Sequence, residues 1–218
     1  MPRRAPTLVA FVLAVALGSA APTLRAKPAP TAPAAQLSND ARHAVSWIVS
    51  IGENQGRPFV VVDKREARLH LFDATGRWVG DTPVLLGQTV GDTDAAAAGG
   101  RAPAMLGPSE RTTPAGRFVS VPGHNDKGEA VVWFDHAAGL AIHRLRPAPP
   151  QQRRPARMES ALPEEHRISL GCIVVPVAFY EAFIAPRFGR QRGVVYVLPE
   201  TYPAQALFNA FDVGLAAF

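Results

Sequence analysis

The sequence predicts a mainly β (α+β) domain, an antiparallel sandwich or barrel-like sheet with a short helix before it and one helix after its single cysteine. Three observations support this class. From residue 58 onward, apolar residues recur with a period of two in several short runs, a spacing typical of strands. Glycine- and proline-rich segments separate these runs. Only residues 38–52 and 176–186 carry clear helix signals, with room for one further short helix in the tail.

The first 26 residues are typical of a signal peptide. Arg3 and Arg4 precede an apolar run at 8–18, and small residues follow up to Ala20 or Ala26. The run is shorter than the roughly 20 apolar residues that span a bilayer, so no stable membrane insertion is expected. An uncleaved anchor is the alternative, because Pro22 disfavours cleavage after Ala20. We therefore expect an exported protein of the periplasm or cell envelope.

A linker and a helix come next. Residues 27–37 are rich in proline and alanine and cannot form a core. Within residues 38–56, Ser38 or Asn39 can cap a helix, and Gly52 can end it in a left-handed conformation. The residues expected on the packed face of this helix are Ala41, Val45, Ile48 and Ile51.

Residues 57–199 are expected to form the main domain, and residues 200–218 its C-terminal tail. Two breaker-rich loops, 88–116 and 146–165, interrupt the strands, and loops of this length are often functional or disordered. Proline starts the helix at 176, and Pro186 is predicted to end it. The predicted strands are 58–63, 67–73, 77–87, 117–121, 130–134, 140–145 and 193–199.

The composition narrows the class of partner. With 47% apolar and 19% charged residues, the chain is that of a globular protein. A net charge of +5 favours a polyanionic neighbour such as a cell-wall polymer. Because aromatic and basic residues do not interleave along a stripe, no nucleic-acid partner is expected.

Cys172 is the only cysteine of the 218 residues. Exported proteins usually pair their cysteines, so a lone thiol requires an explanation. Buried packing is one reading, since cysteine is often buried. Catalysis is the other, because Gly171 would let the amides of Leu170, Gly171 and Cys172 converge on an oxyanion.

A nucleophilic thiol also needs a base. His143 ends an alternating strand and is the first candidate, while His166 is the second because it lies close to Cys172 in sequence. A zinc site is not expected, because no pair of ligands has the required spacing on one element.

The segments "IHR" (142–144) and "SLGCIVV" (169–175) resemble the catalytic signature of the L,D-transpeptidases (YkuD-type domains), I-H-G followed by S/T-H-G-C-x-R/N. Residues 112–118, "TTPAGRF", resemble the T-P-x-G-x-F element of that family, and residues 59–88 resemble its opening hairpin. The resemblance runs from about residue 58 to 199, with the landmarks in the same order.

This resemblance implies an enzyme acting on peptidoglycan stem peptides. Cys172 would attack the carbonyl after the third residue, releasing the terminal D-alanine, and the acyl group would pass to an amine, giving a 3→3 crosslink, or to water. His143 would be the general base. Ser169 would orient it through a carbonyl or hydroxyl oxygen, and Gly171 would shape the oxyanion hole. No metal or organic cofactor is implied, and carbapenems are the expected covalent inhibitors.

Three positions depart from the family pattern. Leu170 replaces a second histidine, Arg144 replaces glycine, and Val174 replaces arginine or asparagine. These positions, with Arg167, are the candidate substrate-binding residues. The residues between His143 and Ser169 are also more numerous than in the family pattern, so 145–166 could form a lid. Further arginines that could bind a substrate carboxylate are Arg146, Arg153 and Arg154.

Two alternatives remain open beside the transferase. The same acyl-enzyme could react only with water, giving a hydrolase of the same bonds. A decayed site would instead leave a wall-binding module without catalysis. Thiol reactivity distinguishes the last case, because an active cysteine is expected to be a thiolate near neutral pH.

Overall fold

The computed structural model describes Met1 and residues 37–93, 100–101 and 103–208. Apart from Met1 and Leu37, the predicted signal peptide (1–26) and linker (27–37) lie outside the described residues, as do residues 209–218 of the tail.

Ten strands make the described part of the chain mainly β, which confirms the predicted class. Eight of them form one mixed sheet in the order β3-β2-β1-β10-β5-β6-β7-β9, and β4 pairs separately with β8. Three pairs are parallel, namely β1 with β10, β7 with β9, and β4 with β8. The strands are β1 Phe59–Asp63, β2 Arg68–Phe72, β3 Trp78–Pro83, β4 Leu86–Gly87, β5 Gly116–His124, β6 Ala130–Asp135, β7 Leu140–Arg144, β8 Arg167–Ser169, β9 Ile173–Val175 and β10 Gly193–Val197.

Strand β5 joins two halves of the large sheet. Its residues 116–120 pair with β10, and its residues 121–124 pair with β6. One half-sheet therefore contains β3, β2, β1 and β10, while the other contains β6, β7 and β9. The lone cysteine lies just before β9, in the second half-sheet.

Strand β1 explains how the core is divided. Val60 and Val62 pack into the main core, whereas Phe59 and Val61 face a second cluster under the N-terminal helix. Because both faces of β1 are covered, all five of its residues are buried. This double burial explains the unbroken apolar run in its sequence.

Helix α1, Asn39–Ile51, is capped as predicted. The Ser38 hydroxyl accepts a hydrogen bond of 3.1 Å from the Ala41 amide, and Gly52 ends the helix with φ +67°. The expected packed face is wrong at one position, because Ile51 is exposed. The buried side chains of α1 are Ala41, Ala44 and Ile48.

The long segment after β7 contains more regular structure than the sequence indicated. A 3₁₀ turn at Pro150–Gln152 leads into helix α2, Arg154–Glu159, and a second 3₁₀ turn covers Pro163–His166. Proline opens each of these elements, at or next to the first helical position.

Helix α3 covers residues 177–188 and follows β9. Its middle, Tyr180–Ile184, is π-helical, and α-helical turns flank it at Val177–Phe179 and Ala185–Phe188. The prediction that Pro186 ends this helix is wrong, since the helix continues to Phe188. The π-helical turn interrupts the usual hydrogen-bond ladder just before Pro186, so the missing amide hydrogen is tolerated.

A last helix, α4, covers Ala204–Phe208 of the tail. Among the described residues, no helix is both long enough and apolar enough to cross a membrane.

Candidate active site

The pairing of β7 with β9 sets the position of the lone thiol. Ile142 lies opposite Ile173, and His143 lies opposite Val174. Cys172 immediately precedes β9, so this parallel register places it beside Ala141, diagonally across from His143. Since alternate residues of a strand share a face, the fold brings the predicted nucleophile and the predicted base together across a long loop.

His143 is buried and held in one tautomer. Its Nδ1 lies 2.8 Å from the Arg144 carbonyl oxygen, which can only accept, so Nδ1 carries the proton and Nε2 is free to act as a base. Burial is the main cause that lowers the pKa of His143 to about 4, and the charges of Arg146 and Arg154 act in the same direction. The imidazole is therefore neutral at neutral pH.

Cys172 is half-buried and its surroundings desolvate the sulfur. Burial raises the pKa of the thiol, against a hydrogen bond from the Ala141 amide and the charges of Arg146 and Arg154. The thiol lies 3.8 Å from the Gly139 carbonyl oxygen, to which it can donate. These directions indicate a neutral thiol beside a neutral imidazole, so the expectation of a resting thiolate near neutral pH is not supported.

The described residues contain no hydrogen bond between the Cys172 thiol and His143. Such bonds are often long or poorly aligned before substrate binds.

Gly171 is required by the shape of the turn before Cys172. Its φ is +125°, and a Cβ there would lie 2.7 Å from the Thr112 carbonyl oxygen and 2.9 Å from a methyl carbon of Leu140. The Gly171 amide donates to the Ser169 hydroxyl at 3.1 Å, so it is not free for an oxyanion. Of the three amides predicted to form the oxyanion hole, those of Leu170 and Cys172 remain.

The hydrogen-bond partners of Ser169 differ from the predicted one. Its hydroxyl donates to the Cys172 carbonyl at 2.7 Å and accepts from Gly171, while its own carbonyl accepts from the Gln88 amide at 3.0 Å. The prediction that Ser169 orients His143 is therefore wrong, because the Arg144 carbonyl does so. Ser169 instead closes the turn that presents Cys172.

Thr113 is a supporting residue that was not among the predicted site residues, although it lies within the "TTPAGRF" element. It is fully buried, and its hydroxyl donates to the Gly171 carbonyl at 3.0 Å and accepts from the Gly87 amide at 2.8 Å. Thr113 therefore fixes the carbonyl of the residue that precedes the nucleophile.

Four charged residues behind Thr113 form what we call the ionic cluster: Lys64, Asp92, Arg167 and Glu200. Lys64 is fully buried, and its ammonium group donates to Asp92 at 2.7 Å and to the Thr113 carbonyl at 2.8 Å, with Glu200 at 3.3 Å. The signal for this cluster is Lys64 itself, a lysine directly after the apolar run of β1.

Arg167 belongs to this cluster and not to the cleft. It pairs with Glu200 and donates to the Lys64 carbonyl at 3.0 Å, and it is largely buried. The expectation that Arg167 binds substrate is not met by this geometry.

Two other candidate substrate-binding residues, Arg144 and Val174, make contacts that leave them unavailable to a substrate. Val174 is fully buried in a small apolar cluster with Leu85 and Met158. The Arg144 guanidinium lies over the Tyr180 ring at 5.8 Å and 3.9 Å from Glu181 on α3. Arg144 thus contributes its carbonyl, and Val174 contributes packing.

Leu170 is half-buried in the turn beside Cys172. Of the candidate substrate-binding residues, it is therefore the one that remains beside the thiol.

His166 is excluded as the base. It is buried, and its two ring nitrogens lie 2.9 Å from the Val84 carbonyl oxygen and 3.0 Å from the Ser160 carbonyl oxygen. With both nitrogens occupied, His166 fastens the 145–166 segment to the core.

In the described part of the chain, no group of three or more histidine, cysteine, aspartate or glutamate side chains is placed to hold a metal ion.

The fold and the site define a mainly β domain in which a cysteine and a histidine share one face of two paired parallel strands. No protein-family model matches the chain, and no curated protein matches it. Among solved structures, it is similar to the catalytic domain of the E. faecium L,D-transpeptidase, with 18% identity and a TM-score of 0.35 over 66% of this chain and 98% of that one. It is also similar to a fused Zn-dependent amidase/peptidase/peptidoglycan-binding domain-containing protein from Clostridium acetobutylicum, with 13% identity and a TM-score of 0.37 over 74% of this chain and 64% of that one. At TM-scores below 0.5, neither similarity indicates a function.

Proposed function

We propose that this protein is an exported cysteine acyltransferase of the L,D-transpeptidase type, acting on peptidoglycan stem peptides. One observation carries the proposal: the β7–β9 register places Cys172 and His143 on one face, with the Arg144 carbonyl holding His143 as a base. The signature "IH…SLGC" and the order of the other sequence landmarks support the same assignment.

In the first half-reaction, the Cys172 sulfur attacks the carbonyl carbon of the L,D bond while His143 Nε2 accepts the thiol proton. The amides of Leu170 and Cys172 are the groups that we assign to the developing oxyanion. The C–N bond then breaks, His143 returns the proton to the departing D-alanine nitrogen, and a thioester remains on Cys172.

In the second half-reaction, an amine attacks the thioester carbonyl and His143 accepts the proton that the amine loses. The C–S bond breaks, the sulfur leaves as a thiolate, and His143 returns the proton to it. With a second stem peptide as acceptor, the product is a 3→3 crosslink. Water as acceptor gives hydrolysis of the same bond.

The neutral resting state determines how the first step runs. Because the pKa of the thiol is raised and that of His143 is lowered to about 4, a thiolate–imidazolium pair is disfavoured before substrate binds. We expect proton transfer to His143 to accompany the attack of the sulfur, so that His143 acts as a general base.

Intact-mass measurement after incubation with a carbapenem tests the proposal. The wild-type protein is expected to gain the mass of one inhibitor molecule, and Cys172→Ala none. His143→Gln is expected to react at least about 100-fold more slowly, as loss of a general base implies. A folded wild-type protein that gains no mass contradicts the proposal.

Purified sacculi then distinguish the acceptor. New 3→3 dimers indicate the transferase, whereas trimmed stem peptides without dimers indicate the hydrolase.

The raised pKa of Cys172 and the absence of a Cys172–His143 hydrogen bond in the described residues favour one rival, a wall-binding module without catalysis. That rival expects sacculus binding that Cys172→Ala leaves unchanged, together with no inhibitor adduct on the wild-type protein.

A further inference from the structure

A cavity lies along the segment that follows His143. It has a volume of about 360 Å³, within the range of small-ligand sites, and its lining includes Arg146 and Arg154. Four prolines line it as well: Pro147, Pro149, Pro150 and Pro155. Because proline fixes φ, these residues hold the wall of the cavity in one shape before any ligand arrives.

Arg154 has no acidic partner among the described residues. Its only hydrogen bond there is from Nε to the Gln152 side-chain oxygen, at 2.6 Å. The guanidinium is half-buried, and burial lowers the pKa of Arg154, with the charge of Arg146 acting in the same direction. A partly desolvated guanidinium without a counter-ion, lining a cavity, is a binding group for an anion.

Arg146 supplies a second cation to the same cavity. It is paired with Glu129 at 2.7 Å, so of the two guanidinium groups only that of Arg146 has a carboxylate partner in the described part of the chain. The local charge is therefore positive, and an anionic ligand would restore the balance.

The two guanidinium groups act on the reactive pair. Their charges oppose ionisation of His143 and favour the thiolate of Cys172, and Cys172 in turn acts on Arg154. The lining of the cavity begins at Leu145, two residues after His143, so the cavity lies on the segment that directly follows the base. Arg153 lines it too, but its side chain is exposed and carries no such link.

We propose that Arg146 and Arg154 form a carboxylate-binding subsite beside Cys172, which holds a free carboxylate of the acyl-donor peptide. This inference rests on the proposed function for the identity of the peptide. The apolar lining accepts the carbon skeleton next to the carboxylate, and Arg154 is the principal ligand because its guanidinium is not neutralised. The subsite thus takes the place of the polar residues that Leu170 and Val174 lack.

Alkylation of Cys172 tests the subsite without requiring turnover. Iodoacetate is anionic and iodoacetamide is its neutral analogue, and the lone cysteine gives a single mass shift with either reagent. We expect the wild-type protein to have a higher ratio of iodoacetate to iodoacetamide rate constants than the uncharged thiol N-acetylcysteine amide has. Arg154→Gln is expected to reduce that ratio about tenfold, as loss of a charge-assisted hydrogen bond implies. Any change in the thiol pKa alters both rates equally and cancels in the ratio.

Two further variants serve as controls. Arg190→Gln removes the same charge from an exposed position and should leave the ratio unchanged. Arg146→Gln should lower it by a smaller factor than Arg154→Gln, and equal thermal midpoints would exclude misfolding. Raising the salt concentration to 1 M should also reduce the wild-type ratio. A ratio that is the same in Arg154→Gln and the wild type overturns the subsite.

Protection experiments identify the carboxylate. Stem tetrapeptides amidated at the C-terminus or at the side-chain carboxylate of the third residue are compared as protectors of Cys172 against iodoacetamide. The peptide lacking the bound carboxylate should protect the wild type more weakly, and Arg154→Gln should remove the difference. Equal protection by all peptides contradicts a subsite for the donor.

The two proposals fail in different ways. A carbapenem adduct with an unchanged alkylation ratio rejects the subsite and keeps the acyltransferase. A charge-dependent ratio without any adduct keeps an anion subsite and rejects the acyltransferase.

Discussion

The thiol–imidazole pair and the ionic cluster are both removed from water, yet their ionisation differs. In the pair, burial raises the pKa of Cys172 and lowers that of His143, so both groups are neutral. In the cluster, burial also lowers the pKa of Lys64, but Asp92 and Glu200 oppose it with hydrogen bonds and charge. Burial opposes ionisation of Asp92 as well, yet hydrogen bonds from Lys64 and Thr201 lower its pKa.

The difference lies in the partners. Each charge of the ionic cluster has an opposite charge within hydrogen-bonding distance, whereas the thiol and the imidazole are held mainly by backbone groups. A protein can therefore keep one buried site charged and rigid, and a neighbouring one neutral and ready to exchange a proton. Thr113 links the two, since its carbonyl accepts from Lys64 and its hydroxyl donates to Gly171.

Removing the lysine from the ionic cluster should have the largest effect. Lys64→Met leaves Asp92 and Glu200 buried with less compensation, so we expect a loss of about 3–5 kcal/mol in the free energy of unfolding. Urea denaturation measures it, with the exposed Arg190→Gln as a charge-matched control expected to stay within about 0.5 kcal/mol. A loss below about 1 kcal/mol would mean that the cluster is not an essential support.

The imidazole of His143 should make the free energy of unfolding depend on pH in the acidic range. The pKa of His143 is about 4 when folded, below its ordinary value of 6.5, so the unfolded chain binds a proton first as the pH falls. The free energy of unfolding should drop between pH 6.5 and pH 4, by about 3 kcal/mol from this residue.

Urea denaturation of the wild type and His143→Gln at pH 7 and pH 4.5 isolates that contribution. The loss on acidification should be smaller in the variant, which cannot titrate at this position. Equal losses in the two proteins would show that His143 is not buried in its neutral form.

Removal of the Thr113 hydroxyl, which links the two regions, should lower both the stability of the fold and the reactivity of Cys172. Thr113→Val removes the hydroxyl that bonds to the Gly171 carbonyl and the Gly87 amide, which are both buried contacts. We expect a loss of about 1–3 kcal/mol in the free energy of unfolding and slower acylation of Cys172 by a carbapenem. Thr113→Ser keeps the hydroxyl and should recover most of the acylation rate, which a purely structural role for the methyl group would not predict.

The turn at Ser169 should give the smallest effect. Ser169→Ala removes one hydrogen bond to the Cys172 carbonyl and one from the Gly171 amide, at a cost of about 1 kcal/mol. Because Arg144 orients His143, the pH at which acylation slows on acidification should be the same in Ser169→Ala as in the wild type. A shift of that pH would restore a role for Ser169 in positioning the base.

The features that the sequence predicted correctly are those set by local patterns. Ser38 and Gly52 bound a helix because each acts on its own chain neighbourhood. The runs of period two became strands, since burial of one face needs no knowledge of the partner strand. The signature predicted that Cys172 and His143 act together. The register of β7 with β9 shows that they share one face of the sheet.

The sequence could not predict which polar atoms would meet across the chain. Arg167 precedes the cysteine closely and suggested a cleft residue, but its partner Glu200 lies in the tail. His166 was predicted as the second candidate base, but the Val84 and Ser160 carbonyls occupy both of its ring nitrogens. Ser169 lost the assigned role for the same reason, since hydrogen-bond partners depend on tertiary packing.

Strand β5 has a consequence for how the molecule comes apart. The same nine residues border the helix-backed half-sheet at one end and the half-sheet of the thiol at the other. A strand that detaches from one neighbour loses the geometry that it offers to the next, so we expect the two half-sheets to unfold together. The short strands around Cys172 would then be as resistant to local opening as the larger half-sheet, although β9 contributes only three residues.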